Sequence, residues 1–132
     1  MPQLGLVTVL VDDYDRALDF YVGRVGFDLV DDTEMDDGRR WVVVAPPGAT
    51  ETGLLLAVAA TPAQAARIGD QAGGRVWLFL ETDDLARDRA RMLAAGVAFE
   101  EEPREEPYGI VAVWRDCYGN RWDLVQPGLH EG

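Results

Sequence analysis

Cysteine and histidine each occur once in the 132 residues, as Cys117 and His130. A single cysteine excludes an internal disulfide and fits a reducing compartment, so the expected location is the cytoplasm. Cys117 lies in a turn with no histidine near it in sequence and reads as structural, not as a nucleophile. His130, close to the end of the chain, reads as a solvated terminal side chain. No His, Asp and Ser pattern points to a hydrolytic triad. No apolar run approaches the roughly 20 residues that cross a bilayer, and Met1-Pro2-Gln3 is no signal peptide. Basic residues are also scarce: 12 against 24 acidic ones, a formal net charge of −12. No positive excess exists to neutralise phosphates or anionic lipid, so neither nucleic acid nor membrane is an expected partner. A neutral or cationic small molecule stays open. Gly73-Gly74 lacks the spacing and the preceding strand of a phosphate loop or dinucleotide fingerprint.

What is present is ordinary for a globular domain, with 48% apolar and 27% charged residues. A chain this short forms one compact unit or two halves too small for private cores. Leu4–Val11 is apolar and β-branched, which predicts a mostly buried strand. Asp12-Asp13 offers a carboxylate cap to a helix with the apolar stripe Ala17, Leu18, Tyr21, Val22 and Val25. Gly23 and Gly26 loosen and stop it. Strands are predicted over 27–30, 39–45 and 53–59, separated by an acidic crossing at 31–38 and the turn Pro46-Pro47-Gly48. Thr61-Pro62 opens a short helix or turn.

After the glycine-rich break at 69–74 the same order returns. It runs as a strand at 75–81, a helix capped by Thr82-Asp83 and stopped at Gly96, and a strand at 97–99. An acidic crossing at 100–107 and strands at 109–114 and 121–125 complete it. A shift of 70 residues lays Asp13 on Asp83, Gly26 on Gly96, and 30–36 on 100–106. Two βαβββ modules, 1–60 and 74–127, are therefore expected within a single domain spanning 1–132. The expected fold class is α+β, a curved mixed sheet around a groove with the helices outside.

The stretches 11–21 (VDDYDRALDFY), Gly26-Phe27 and 116–127 (DCYGNRWDLVQP), in this order, resemble the vicinal oxygen chelate superfamily. That group contains glyoxalase I, bleomycin-resistance proteins and extradiol dioxygenases. The resemblance covers nearly the whole chain and implies a homodimer whose sheets curve around a ligand cavity. Metal-dependent relatives carry His, Glu or Gln at one position on each of four strands. Carried over by motif, those positions are Leu6, Leu56, Trp77 and Asp123. A slip of one residue, to Val7, Leu55, Ala57, Val76 or Leu78, recovers no donor. A divalent ion needs several N or O donors to offset its dehydration. No metal, no other cofactor and no catalytic residue is therefore expected.

Alternation puts Trp77 and Phe79 on one face of their strand, with Glu81 after them. It puts Asp123 on the groove face of the last strand, with Trp122 and Leu124 toward the helices. Trp41 and Trp114 lie in strands that are apolar on both faces, and their orientation stays open between core and cavity. Tyr108 opens a strand at a place where relatives contact ligand. The expected ligand-binding set is thus Trp77, Phe79, Asp123, Tyr108, Trp41, Trp114 and Leu56. Rings supply area, and the Asp123 carboxylate fixes a donor or a cation. Both acidic crossings read as solvated loops, with Arg39, Arg40 and Arg104 as their ion-pair partners. The leading expectation is metal-free binding or sequestration of a small cationic or aromatic organic molecule, in the manner of an antibiotic-resistance protein. A metal-dependent lyase, isomerase or dioxygenase is one alternative. A structural or regulatory dimer without ligand is another.

Overall fold

In β1 (Leu6–Val11), Val9 and Val11 are fully buried while Leu6 and Thr8 stand exposed, the period of a strand covered on one face. The structure, a computed structural model, describes residues 1–128, so the reading of His130 falls outside the described residues. The Asp13 carboxylate accepts from the Arg16 backbone N–H at 2.7 Å and caps α1 (Tyr14–Leu18). The helix widens into a π-helical segment, Asp19–Val25, and stops at Gly26, whose φ of 95° is a conformation glycine adopts without a Cβ penalty. Strands β2 (Asp28–Glu34), β3 (Arg40–Ala45) and β4 (Gly53–Val58) follow. They form a four-stranded sheet in the order β1-β4-β3-β2, with β1 parallel to β4 and the other pairs antiparallel. The short α2 (Pro62–Ala65) carries Thr61 as its cap and proline in its first turn. This first compact unit is Met1–Ile68.

The second unit begins at Gly69 and repeats the pattern. It contains β5 (Val76–Glu81), α3 (Leu85–Ala94), β6 (Ala98–Phe99), β7 (Arg104–Glu106), β8 (Gly109–Arg115) and β9 (Arg121–Pro127). The order is β5-β9-β8-β6 with β7 also paired to β8, and β5 runs parallel to β9. In both units the first strand lies parallel to the last, which is the repeat seen in the sequence. The fold is α+β with two mixed sheets of four and five strands.

Three local expectations change. Half of the first acidic crossing is strand, because β2 continues through Asp31, Asp32, Thr33 and Glu34 with all seven of its residues exposed. A bulge between Leu29 and Asp31 adjusts its register against β3. The second acidic crossing likewise contributes β7. An edge strand gets its backbone pairing from one neighbour and tolerates charge on both faces, so polarity alone does not mark it as loop. Asp84, not Asp83, caps α3, accepting from the Arg87 N–H at 3.0 Å, while Asp83 bonds the Arg87 guanidinium at 2.8 Å.

Candidate functional site

In the second unit, register places Asp123 of β9 between Phe79 of β5 and Val113 of β8. Residues opposed in register share a face. The adjoining row on that face is Glu81, Val125, Val111 and Arg104. Asp123 is 3% exposed, and among the described residues its Oδ1 has no hydrogen-bond partner. Burial pushes its carboxyl above the usual carboxylate range. Arg104 and Arg121 pull it back down, while Glu101 and Glu106 add to the rise. Neither arginine is dedicated to Asp123: Arg104 bonds Glu101 at 3.0 Å and also Glu106, and Arg121 bonds Glu100 at 2.8 Å. Phe79, beside this buried charge, is 61% exposed.

Of the tryptophans in the second unit, only Trp77 departs from strict alternation. Trp114 is fully buried and stacks on Trp122 with centroids 4.9 Å apart, which makes it core. Trp77 stands edge-on to Trp122 at 5.7 Å. The reason is a bulge in β5 between Val76 and Leu78, which inserts one residue and turns the Trp77 ring toward the row opposite Phe79. Tyr108 is exposed in the turn between β7 and β8, and its carbonyl accepts from the Gly128 N–H at 3.0 Å.

Leu56 and Trp41 belong to the first unit. Leu56 lies in the row Val9–Leu56–Val42, all fully buried, while Leu55 and Ala57 hold the opposite, half-buried row. Leu56 and the exposed Trp41 nevertheless both border a cavity of about 490 Å³ at the end of this sheet. The structure thus groups Asp123 with Phe79, Trp77 with Trp114 around Trp122, and Trp41 with Leu56. Two polar groups at that cavity, the Tyr14 hydroxyl and Arg39, were not singled out as site residues from sequence. Tyr14 sits inside the helix-start motif, where nothing local announces the hydroxyl's partner.

Residues 3–124 match the model of the Glyoxalase/Bleomycin resistance protein/Dioxygenase superfamily, and the chain belongs to that superfamily. It is 53% identical over 121 residues to an uncharacterized protein of Shewanella frigidimarina, covering 91% of this chain and 90% of the other. Among solved structures it is similar to TnmS3, an antibiotic binding protein from Streptomyces sp. CB03234. The identity is 38% and the TM-score 0.79, over 97% of this chain and 98% of that one. A glyoxalase/bleomycin resistance protein from the same strain shares 39% identity at a TM-score of 0.74, over 94% and 100% of the two chains.

A metal of the kind some members of this fold use does not fit the residues present. Leu6, Leu55, Leu56 and Trp77 carry no donor for it. Among the described residues no group of three or more His, Cys, Asp or Glu could hold an ion. No helix of the described residues is long and apolar enough to cross a membrane.

Proposed function

We propose that this protein binds a small cationic or aromatic organic molecule without a metal, sequestering it as an antibiotic-binding protein does. It acts in the cytoplasm as a homodimer of chains built from the modules 1–60 and 74–127. The observation that carries this reading is the Asp123 carboxylate, 3% exposed, its Oδ1 without a hydrogen-bond partner among the described residues, in one row with the exposed Phe79 ring. A buried carboxylate oxygen left without a donor is costly, and a ligand ammonium or N–H placed on it recovers that cost. A ring laid on Phe79 supplies apolar area and keeps water from the pair. The 38% identity to an antibiotic binding protein supports the same class of activity. The missing donors at Leu6, Leu56 and Trp77 support metal independence.

The test is isothermal titration of chelator-treated protein with a panel of amine-bearing aromatic antibiotics, on the native chain and Asp123→Asn. Saturable binding is expected for at least one compound, weakened about tenfold by the substitution. Absence of saturable binding across the panel, or binding that appears only after a divalent metal is restored, overturns the reading.

A further inference from the structure

The β3–β4 ladder stops short of both strands. Val42, Val43 and Val44 pair with Leu56, Leu55 and Leu54, whereas β1 goes on to hold Ala57 and Val58. Continuing the register would set Arg40 opposite Val58. Instead the Arg40 backbone N–H donates to the Tyr14 hydroxyl at 3.3 Å, so an α1 side chain takes a ladder position and the strands fork. The cavity of about 490 Å³ occupies this fork. Small-molecule sites run from about 300 to 1,000 Å³. Its floor is the apolar stretch from Leu55 to Ala60, and Trp41, 39% exposed, stands at its side.

The side chains of Tyr14, Arg39, Arg40 and Trp41 around the fork can all donate, and among the described residues no carboxylate lines it. Arg40 is already engaged. It bonds Asp32 at 2.7 and 3.1 Å and Asp15 at 2.9 Å, and it lies over the Tyr14 ring at 5.1 Å from the centroid. The Tyr14 hydroxyl accepts from Arg40, which leaves its own proton to donate. Arg39 is exposed, and among the described residues its guanidinium forms no ion pair or hydrogen bond, although Asp36 and Asp37 precede it by three and two residues. Two donors that are uncommitted among the described residues, on residues lining an apolar, partly aromatic cleft, favour an acceptor ligand.

We propose that the fork is a second small-molecule site that takes a flat aromatic carboxylate. The ring lies against Trp41 and the β4 floor, and the carboxylate accepts from Arg39 and the Tyr14 hydroxyl. An arginine fork matches a carboxylate in geometry as well as charge. The net charge of −12 opposes an anion at a distance. Near 0.15 M salt that opposition is screened beyond about 8 Å, while the contacts at the fork persist. The site lies wholly within the first unit and stands whether or not Asp123 binds a cation.

Isothermal titration with naphthalene-2-carboxylate tests it, with naphthalene-2-carboxamide as the uncharged comparison. Saturable binding of the carboxylate is expected at one site per chain, weakened about tenfold by Arg39→Gln. The carboxamide is expected to bind the native chain about as weakly as the carboxylate binds that variant. Ala57→Leu, which fills the floor, should abolish both, and Asp123→Asn should change neither. Arg39 is exposed, so thermal melting confirms that its replacement leaves the fold intact. The proposal is overturned by no saturable binding, by equal affinity for carboxylate and carboxamide, or by loss of binding in Asp123→Asn instead of Arg39→Gln. Failure of the amine panel at Asp123 would leave all of these outcomes readable.

Discussion

Asp123 and Phe79 stand side by side in one cross-strand row, the carboxylate almost wholly buried and the ring 61% exposed. A charge inside and an apolar ring outside is the reverse of what stability alone selects, and it is the arrangement a ligand would complete.

Asp123→Asn should make the protein more stable as it makes it a weaker binder. Burial raises the carboxyl pKa, so the native chain holds that proton more tightly than the unfolded one. The associated stability is fully present below the unfolded value of about 3.9 and is lost as pH rises through the higher native value. Neutral asparagine escapes that loss. Its expected gain at pH 7 is about 1–3 kcal/mol, shrinking toward pH 4. Urea denaturation at the two pH values measures it.

Glu100 should show the opposite sign. Its hydrogen bond with Arg121, aided by Arg115, holds its carboxyl below the usual range. The stabilisation is therefore present above the unfolded value of about 4.3 and is lost as pH falls through the lower native one. The side chains are 28% and 29% exposed, so screening limits the pair. Glu100→Gln should cost about 0.5–1 kcal/mol at pH 7. Below the lowered native value its melting curve should converge on that of the native chain.

Two glycines with positive φ should respond differently to alanine. At Gly109, with φ of 147°, an added Cβ would lie 2.2 Å from the Gln126 carbonyl oxygen. At Gly119, with φ of 97°, it would meet nothing within 4 Å. Gly109→Ala should cost about 2–4 kcal/mol and Gly119→Ala about 1 kcal/mol. Thermal melting of the pair separates collision from backbone strain.

Ring removal should split the aromatic residues into two groups. Trp114→Ala empties a fully buried site against Trp122 and should cost about 3–5 kcal/mol. Phe79→Ala, at an exposed position, should stay within about 0.5 kcal/mol of the native chain. It should still weaken binding of an aromatic amine, which calorimetry on the folded variant reads directly.

The amino-acid order by itself determined the elements and their repetition. Asp13 and Thr61 are caps because a short polar side chain before a helix meets a free N–H nearby, and that relationship is local. The valines of β1 and β3 likewise announce buried strands through their spacing and branching. Family membership was legible in the same way, in three short phrases. What only the tertiary structure decided depends on partners far along the chain. Residues 31–34 are strand because β3 pairs with them, whatever their polarity. One inserted residue in β5 sends Trp77 to Trp122 and defeats alternation at that position alone. Among the described residues the Asp123 Oδ1 has no hydrogen-bond partner, and the Tyr14 hydroxyl meets the Arg40 N–H where the β3–β4 ladder ends, only because segments distant in sequence are brought together. Local chemistry specifies what each segment becomes, while cross-strand register decides which side chains meet and which polar atoms are left for a ligand.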